Sequence, residues 1–165
     1  MNRRIVGYLI NVGLLIIVGV AVLNYQSLRD WWFLRSYQAP QEIAQLADNS
    51  GMNDNGRRIF YASNPDVNTR EEFNKNCPFL EHKLVLGCYS GGRVYIFEVD
   101  TSQLKSFANA AQLNQVMDVT AAHEMLHAAY HRLSRSDKQK VDKMTAAQLE
   151  LITDPHLKEL IDSYK

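Results

Sequence analysis

The sequence predicts an α+β fold in which one N-terminal transmembrane helix precedes a small domain with an antiparallel β-hairpin and a His-Glu-x-x-His helix. Three observations predict it. Residues 5–23 form an uncharged apolar run, two alternating segments flank a Gly-Gly turn near residue 91, and His123-Glu124-Met125-Leu126-His127 lies inside a helical stretch.

The apolar run, IVGYLINVGLLIIVGVAVL, contains a single strongly polar side chain, Asn11. At about 1.5 Å per residue it just crosses a hydrocarbon layer of about 30 Å. Arg3 and Arg4 precede it, and the flank after it carries no positive charge before Arg29, which Asp30 offsets. The positive-inside tendency therefore expects a cytoplasmic N-terminus and an extracytoplasmic C-terminal domain, with the lipid bilayer as the partner of residues 5–23. Trp31, Trp32 and Phe33 suit an interfacial zone. The alternative is a cleaved signal peptide with Gly19-Val20-Ala21 as its small-residue site, but its apolar region would be shorter. Residues 1–24 are thus expected to form a cytoplasmic tip and membrane anchor, 25–55 a stalk or linker, and 56–165 the folded domain.

Within the stalk, Gln41 to Ala47 can form a short helix, with Ile43 and Leu46 three apart. Asp48 to Arg58 is rich in turn formers and predicts a loop. Arg58-Ile59-Phe60-Tyr61-Ala62 predicts a short strand stopped by Asn64-Pro65, and residues 66–83 a polar, irregular stretch. Lys83 to Tyr89 and Arg93 to Val99 then flank Ser90-Gly91-Gly92 as a hairpin whose glycines can adopt positive φ. Tyr95, Phe97 and Val99 would share one face, and Val94, Ile96 and Glu98 the other. A connector from Asp100 to Asn114 leads to a helix from about Val116 to Leu133. A second helix is expected from Asp137 to about Ile152, capped by Ser136 with Gln139 at the capping-box position. A last helix begins at Asp154-Pro155, with proline at its favoured first position.

Lys plus Arg number 18 and Asp plus Glu number 18, so the net charge is zero and the basic excess of a nucleic-acid binder is missing. Nucleic acid is not an expected partner. Cys77 and Cys88 lie eleven positions apart. Outside the cytoplasm a disulfide is the natural reading, with two buried thiols as the alternative.

On a helix, His123 and His127 differ by about 40° in direction and about 6 Å along the axis, so both imidazoles can reach one metal ion. Glu124 is turned by about 100° to the side where a water would sit. Zinc lowers the pKa of such a water to near 7, and a glutamate beside it can take its proton and return it to a leaving amine. The candidate metal ligands are therefore His123 and His127, the candidate catalytic residue Glu124, and the cofactor Zn2+. Ala121, Ala122, Ala128 and Ala129 allow close packing around the motif. His131 lies about 12 Å along the axis from His123, too far to share its metal, and is expected to be helix-terminal or supporting. Glu150 is a candidate third ligand, with a solvent-facing helix position as the alternative. Asp154 either supports a histidine or simply caps the helix that Pro155 opens.

The stretches RRIFYASNP (57–65), Cys77-Pro78, Leu86-Gly87-Cys88-Tyr89, VYIFEV (94–99), VTAAHEMLHAAYHRLS (119–134) and TDPHLKELIDSYK (153–165) resemble a group of single-pass bacterial membrane proteins that carry HExxH. The resemblance covers roughly two thirds of the chain, and residues 120–128 are its most specific part. It implies a zincin-like metallopeptidase domain over residues 56–165, with His123 and His127 as ligands, Glu124 as acid/base and a peptide or protein as substrate. Glu150 and Asp154 resemble a gluzincin pair, a glutamate ligand with an aspartate one turn on. Related chains continue past the position of Lys165 with further acidic motifs. A C-terminally truncated chain, with its third ligand beyond Lys165, is therefore a second expectation beside Glu150. The competing function is a catalytically inactive, membrane-anchored zincin-like binding module.

Overall fold

A computed structural model describes residues 3–77, 85–99 and 110–162. The described chain is mostly helical with a small mixed sheet, consistent with the α+β class. It divides into two compact units, Met1–Ala128 and Ala129–Lys165.

In the first unit, α1 (Arg3–Leu23) contains an apolar window, Val6–Leu23, of mean hydropathy 2.5. No part of that window is buried against the protein, and the helix is long and apolar enough to cross a membrane. After Asn24 comes α2 (Tyr25–Leu34), and after Pro40 comes α3 (Gln41–Asn49). Ile43, Leu46 and Ala47 of α3 fall on one face at i, i+3, i+4 and are buried in the core. The segment expected as a stalk thus contributes a core helix.

The expected strand at Arg58 to Ala62 is instead the end of a helix, α4 (Asp54–Ala62). The loop expected from Asp48 to Arg58 shrinks accordingly to the few residues between α3 and α4. The reason is local and tertiary together. The Asn53 side chain accepts a hydrogen bond from the Gly56 N–H at 2.8 Å, capping the helix. Gly56 and Phe60, four apart, then share the buried face. Packing at helical spacing overrides the β propensity of Ile59-Phe60-Tyr61. The turn after α4 passes through Asn64 at φ 43°, a left-handed conformation that asparagine tolerates better than most side chains.

The stretch expected to be irregular contains β1 (Asp66–Asn68) and α5 (Arg70–Asn76). Three residues are too few to show a strand period, and β1 exists because β3 supplies its partner. Thr69 donates from its hydroxyl to the Glu72 carboxylate at 3.0 Å at the start of α5. Phe73 packs against Phe97, with ring centroids 5.7 Å apart.

The hairpin is present as β2 (Gly87–Ser90) and β3 (Arg93–Phe97), antiparallel with Ser90 opposite Arg93. Gly91 and Gly92 stand at φ 59° and 85°, as a two-residue primed turn requires. Val94 and Ile96, expected to share a face, are both fully buried. The sheet order is β1-β3-β2, with β1 parallel to β3 and Val67 opposite Ile96. Cys77 and Cys88 form a disulfide that ties the end of α5 to β2. The expected β positions Lys83 and Leu84, and residues 100–109 of the expected connector, lie outside the described residues.

Helix α6 (Ala110–Arg132) begins before the expected Val116. Ala121 and Ala128 of α6 join the core with Phe60, Val94 and Ile96. Ser50 anchors the helix from outside by donating to the Asp118 carbonyl at 2.9 Å.

In the second unit, α7 (Arg135–Leu151) is capped by Ser134 rather than Ser136. The Ser134 hydroxyl accepts from the Asp137 N–H at 3.1 Å, and Asp137 takes the capping-box place expected for Gln139. Two serines two residues apart both fit a cap, and the structure uses the first. Asp154 caps α8 (Pro155–Asp162) as expected, accepting from the His156 and Leu157 N–H groups at 2.8 and 3.3 Å.

Candidate metal centre

The centre is built on the middle of α6, where burial divides the helix lengthwise. Ala121, Glu124 and Ala128 are buried at i, i+3, i+7, while His123, Leu126 and His127 are exposed. The alanines let the sheet and α4 approach closely. The histidines are left facing outward from a rigid helical turn.

Nε2 of His123 and Nε2 of His127 stand 3.0 Å apart, with ring centroids at 4.7 Å. Two nitrogens that share a tetrahedral zinc at about 2.0–2.1 Å would be roughly 3.3 Å apart. The pair therefore fits a common metal with only a small opening of the side chains. Without metal, one ring N–H donates to the other ring's lone pair. Partial desolvation against the helix and the neighbouring His123 both hold the exposed His127 imidazole below its ordinary pKa, which favours the neutral form that ligates.

Glu124 lies on the next face, 4% exposed. Its Oε2 is buried without a hydrogen-bond partner, and desolvation pushes the carboxyl up to about 7. A buried carboxyl oxygen lacking any partner is costly in a purely structural role.

What covers Glu124 is β2. A Cβ at Gly87 would stand 2.5 Å from Thr120 Cγ2, 2.8 Å from Glu124 Cγ and 2.9 Å from Glu124 Oε1. Only glycine lets the strand lie this close to the helix. Sequence reasoning placed Gly87 in the hairpin but missed this role, although an isolated glycine inside a strand signals close backbone approach. Cys88, the next residue, is clamped to the end of α5 by the disulfide, so the strand is fixed immediately beside the contact.

The remaining candidates are placed as follows. His131 is in the basic last turn of α6. Glu150 is exposed near the end of α7, and Asp154 serves as a helix cap. Among the described residues, no group of three or more His, Cys, Asp or Glu side chains stands together in a metal-holding arrangement. No protein family, curated protein or solved structure matches the chain.

Proposed function

We propose that this chain is a membrane-anchored, zinc-dependent metallopeptidase that hydrolyses peptide bonds outside the cytoplasmic membrane. His123 and His127 are the metal ligands and Glu124 is the acid/base. The observation that carries this reading is the convergence of two Nε2 atoms, 3.0 Å apart, beside a buried carboxyl whose Oε2 has no partner. The anchor reading draws on the unburied apolar window Val6–Leu23, and its orientation on Arg3 and Arg4 before it.

Bound zinc supplies Lewis acidity for a water and for the scissile carbonyl. The protein's own residues do the rest. His123 and His127 fix the ligand positions on one rigid turn of α6. Glu124 receives a proton from the attacking water at Oε2 and delivers it to the departing amine nitrogen. A carboxyl pushed toward neutrality is suited to both transfers. Gly87 and Thr120 restrict Glu124 to a narrow slot and exclude bulk water from its inner side.

The test uses the full chain in detergent. It should bind stoichiometric zinc, and His123→Ala with His127→Ala should abolish binding. Glu124→Gln should keep the metal but abolish cleavage of an unfolded protein substrate. Absence of zinc at equimolar protein, or cleavage unchanged in Glu124→Gln, would refute the assignment. Zinc retained without cleavage by the unmodified chain identifies the alternative, a catalytically inactive membrane-anchored binding module.

A further inference from the structure

Helix α2 turns its apolar side away from the protein. At about 100° per residue, Tyr25, Leu28, Trp31, Trp32 and, one residue past the helix, Arg35 occupy one arc of roughly 120°. Trp31 is 60% and Trp32 70% exposed, and Tyr25 and Leu28 are exposed with them. The opposite side carries Asp30, which is buried, with Phe33 and Leu34 half-buried. That inner side packs on the domain through a chain of rings. Phe33 lies 5.0 Å from Tyr37, and Tyr37 lies 5.8 Å from Tyr61 of α4. A surface helix in water shows the reverse pattern, with its acid outward and its aromatics inward.

The position of α2 says what covers the outer face. The helix starts one residue after Leu23, the end of the apolar window. Asn24 joins the two helices tightly, donating from its backbone to Val20 O at 3.0 Å and accepting from Leu28 N at 2.9 Å. Ten residues span about 15 Å, longer than the headgroup layer of about 5–8 Å on one side of a bilayer, so the whole outer face meets that layer only if α2 runs along it. Arg35 supplies a cation on the arc, its guanidinium 5.7 Å from the Trp31 ring centroid, while Arg29 pairs with the Asp30 carboxylate at 3.4 Å. A groove of about 650 Å³ opens here between Arg29 and the rings of Tyr25, Trp32 and Phe33. Aromatic rings with flanking basic groups match the lipid interface, where acyl carbon meets phosphate.

We propose that the outer face of α2 lies in the headgroup layer of the bilayer that α1 crosses and holds the folded domain against the membrane surface. This rests on the reading of α1 as a membrane span. Residues spread over one arc along three turns can all meet a plane only when the helix axis runs along it, so the docking requires a bend at Asn24, whose φ −106° and ψ 13° leave the helical range. Phe60 of α4 shares its core with Ala121 and Ala128 of α6. The candidate metal centre therefore belongs to the domain that α2 holds at the membrane.

Trp31 and Trp32 are the two tryptophans of the chain, so its tryptophan emission reports this face without labelling. The full chain is reconstituted into vesicles of phosphatidylcholine and phosphatidylglycerol, with and without bromine on the upper acyl carbons. Flotation of the vesicles first reports whether the chain is membrane-inserted. The expected result is a floating chain whose emission is blue-shifted, loses most of its intensity with brominated lipid and resists aqueous iodide. Trp31→Phe and Trp32→Phe, each leaving one reporter, should both show this quenching. A chain that floats but is quenched by iodide and not by bromine overturns the docking while leaving the anchor intact. Protection from both quenchers means that protein covers the face, and it also overturns the proposal. A chain that does not float refutes the anchor reading, and the docking with it.

Discussion

Substituting Gly87→Ala tests whether β2 is pressed against the metal-binding helix as closely as the structure has it. The new methyl would meet Thr120 Cγ2 at 2.5 Å and Glu124 Cγ at 2.8 Å, where carbon atoms normally approach to about 3.5–4.0 Å. Thr120 is β-branched and stiff on its helix, and Glu124 is held in mid-helix, so neither can step aside by turning a distal bond. Strand and helix must separate by about 1 Å, an overpacking of a kind that costs about 1–3 kcal/mol. Reduced freedom of the unfolded chain returns about 0.4–1 kcal/mol of that. The net loss is roughly 1–2 kcal/mol, which lowers a urea midpoint by about 0.3–2 M for an m-value of about 1–3 kcal/mol/M. Thr120→Ser deletes Cγ2 but keeps the hydroxyl that donates to Val116 O at 2.8 Å. It should therefore recover part of the loss in the double variant, with a coupling of about 0.5 kcal/mol or more. Denaturation of the full chain in detergent, followed by circular dichroism, measures all four corners of the cycle. Gly87→Ala as stable as the parent, with no coupling to Thr120, would refute the close packing.

Three further outcomes are expected. In the metal-free chain, Glu124 has its folded pKa raised to about 7 by desolvation, above its ordinary value of 4.5. The folded state then holds more protons than the unfolded state between those values, so stability should fall as pH rises from about 4.5 to about 7. Glu124→Gln should remove that slope, and an unchanged slope would assign it elsewhere. Replacing both Cys77 and Cys88 by serine removes a bridge between positions eleven apart. The expected cost is about 2–3 kcal/mol from loop entropy, read as a lower urea midpoint; reductant should lower the parent equally and leave the variant unaffected. Asn53→Ala deletes the acceptor that caps α4 at Gly56. It should cost about 1 kcal/mol, whereas Asn53→Asp should be near neutral; equal effects would mean that the cap contributes nothing.

The features legible in the sequence are those whose signal is local and periodic. The apolar run needs only length to become α1. The hairpin needs only alternation and two glycines able to take positive φ at 91 and 92. The facing of His123 and His127 follows from helical geometry once that stretch is helical. Asp154 before Pro155 names its own cap. The strand expected at Ile59-Phe60-Tyr61 became α4 because burial at Gly56 and Phe60 has helical spacing and Asn53 sits where a cap is needed. Neither reason is visible from residue propensity over five positions. Strand β1, three residues long, has no period to detect and exists only by pairing with β3.

The sequence by itself determined that one helix would carry two imidazoles and a carboxylate on adjacent faces, behind an apolar N-terminal helix. Only the tertiary structure decided that Gly87 would close over Glu124, that Cys77 and Cys88 would clamp the covering strand, and that the aromatic arc of α2 would face outward. The physical reason is range. Helical phase and turn chemistry act within a few residues, whereas desolvation of a carboxyl and exposure of a helix face depend on residues that meet only after the chain has packed.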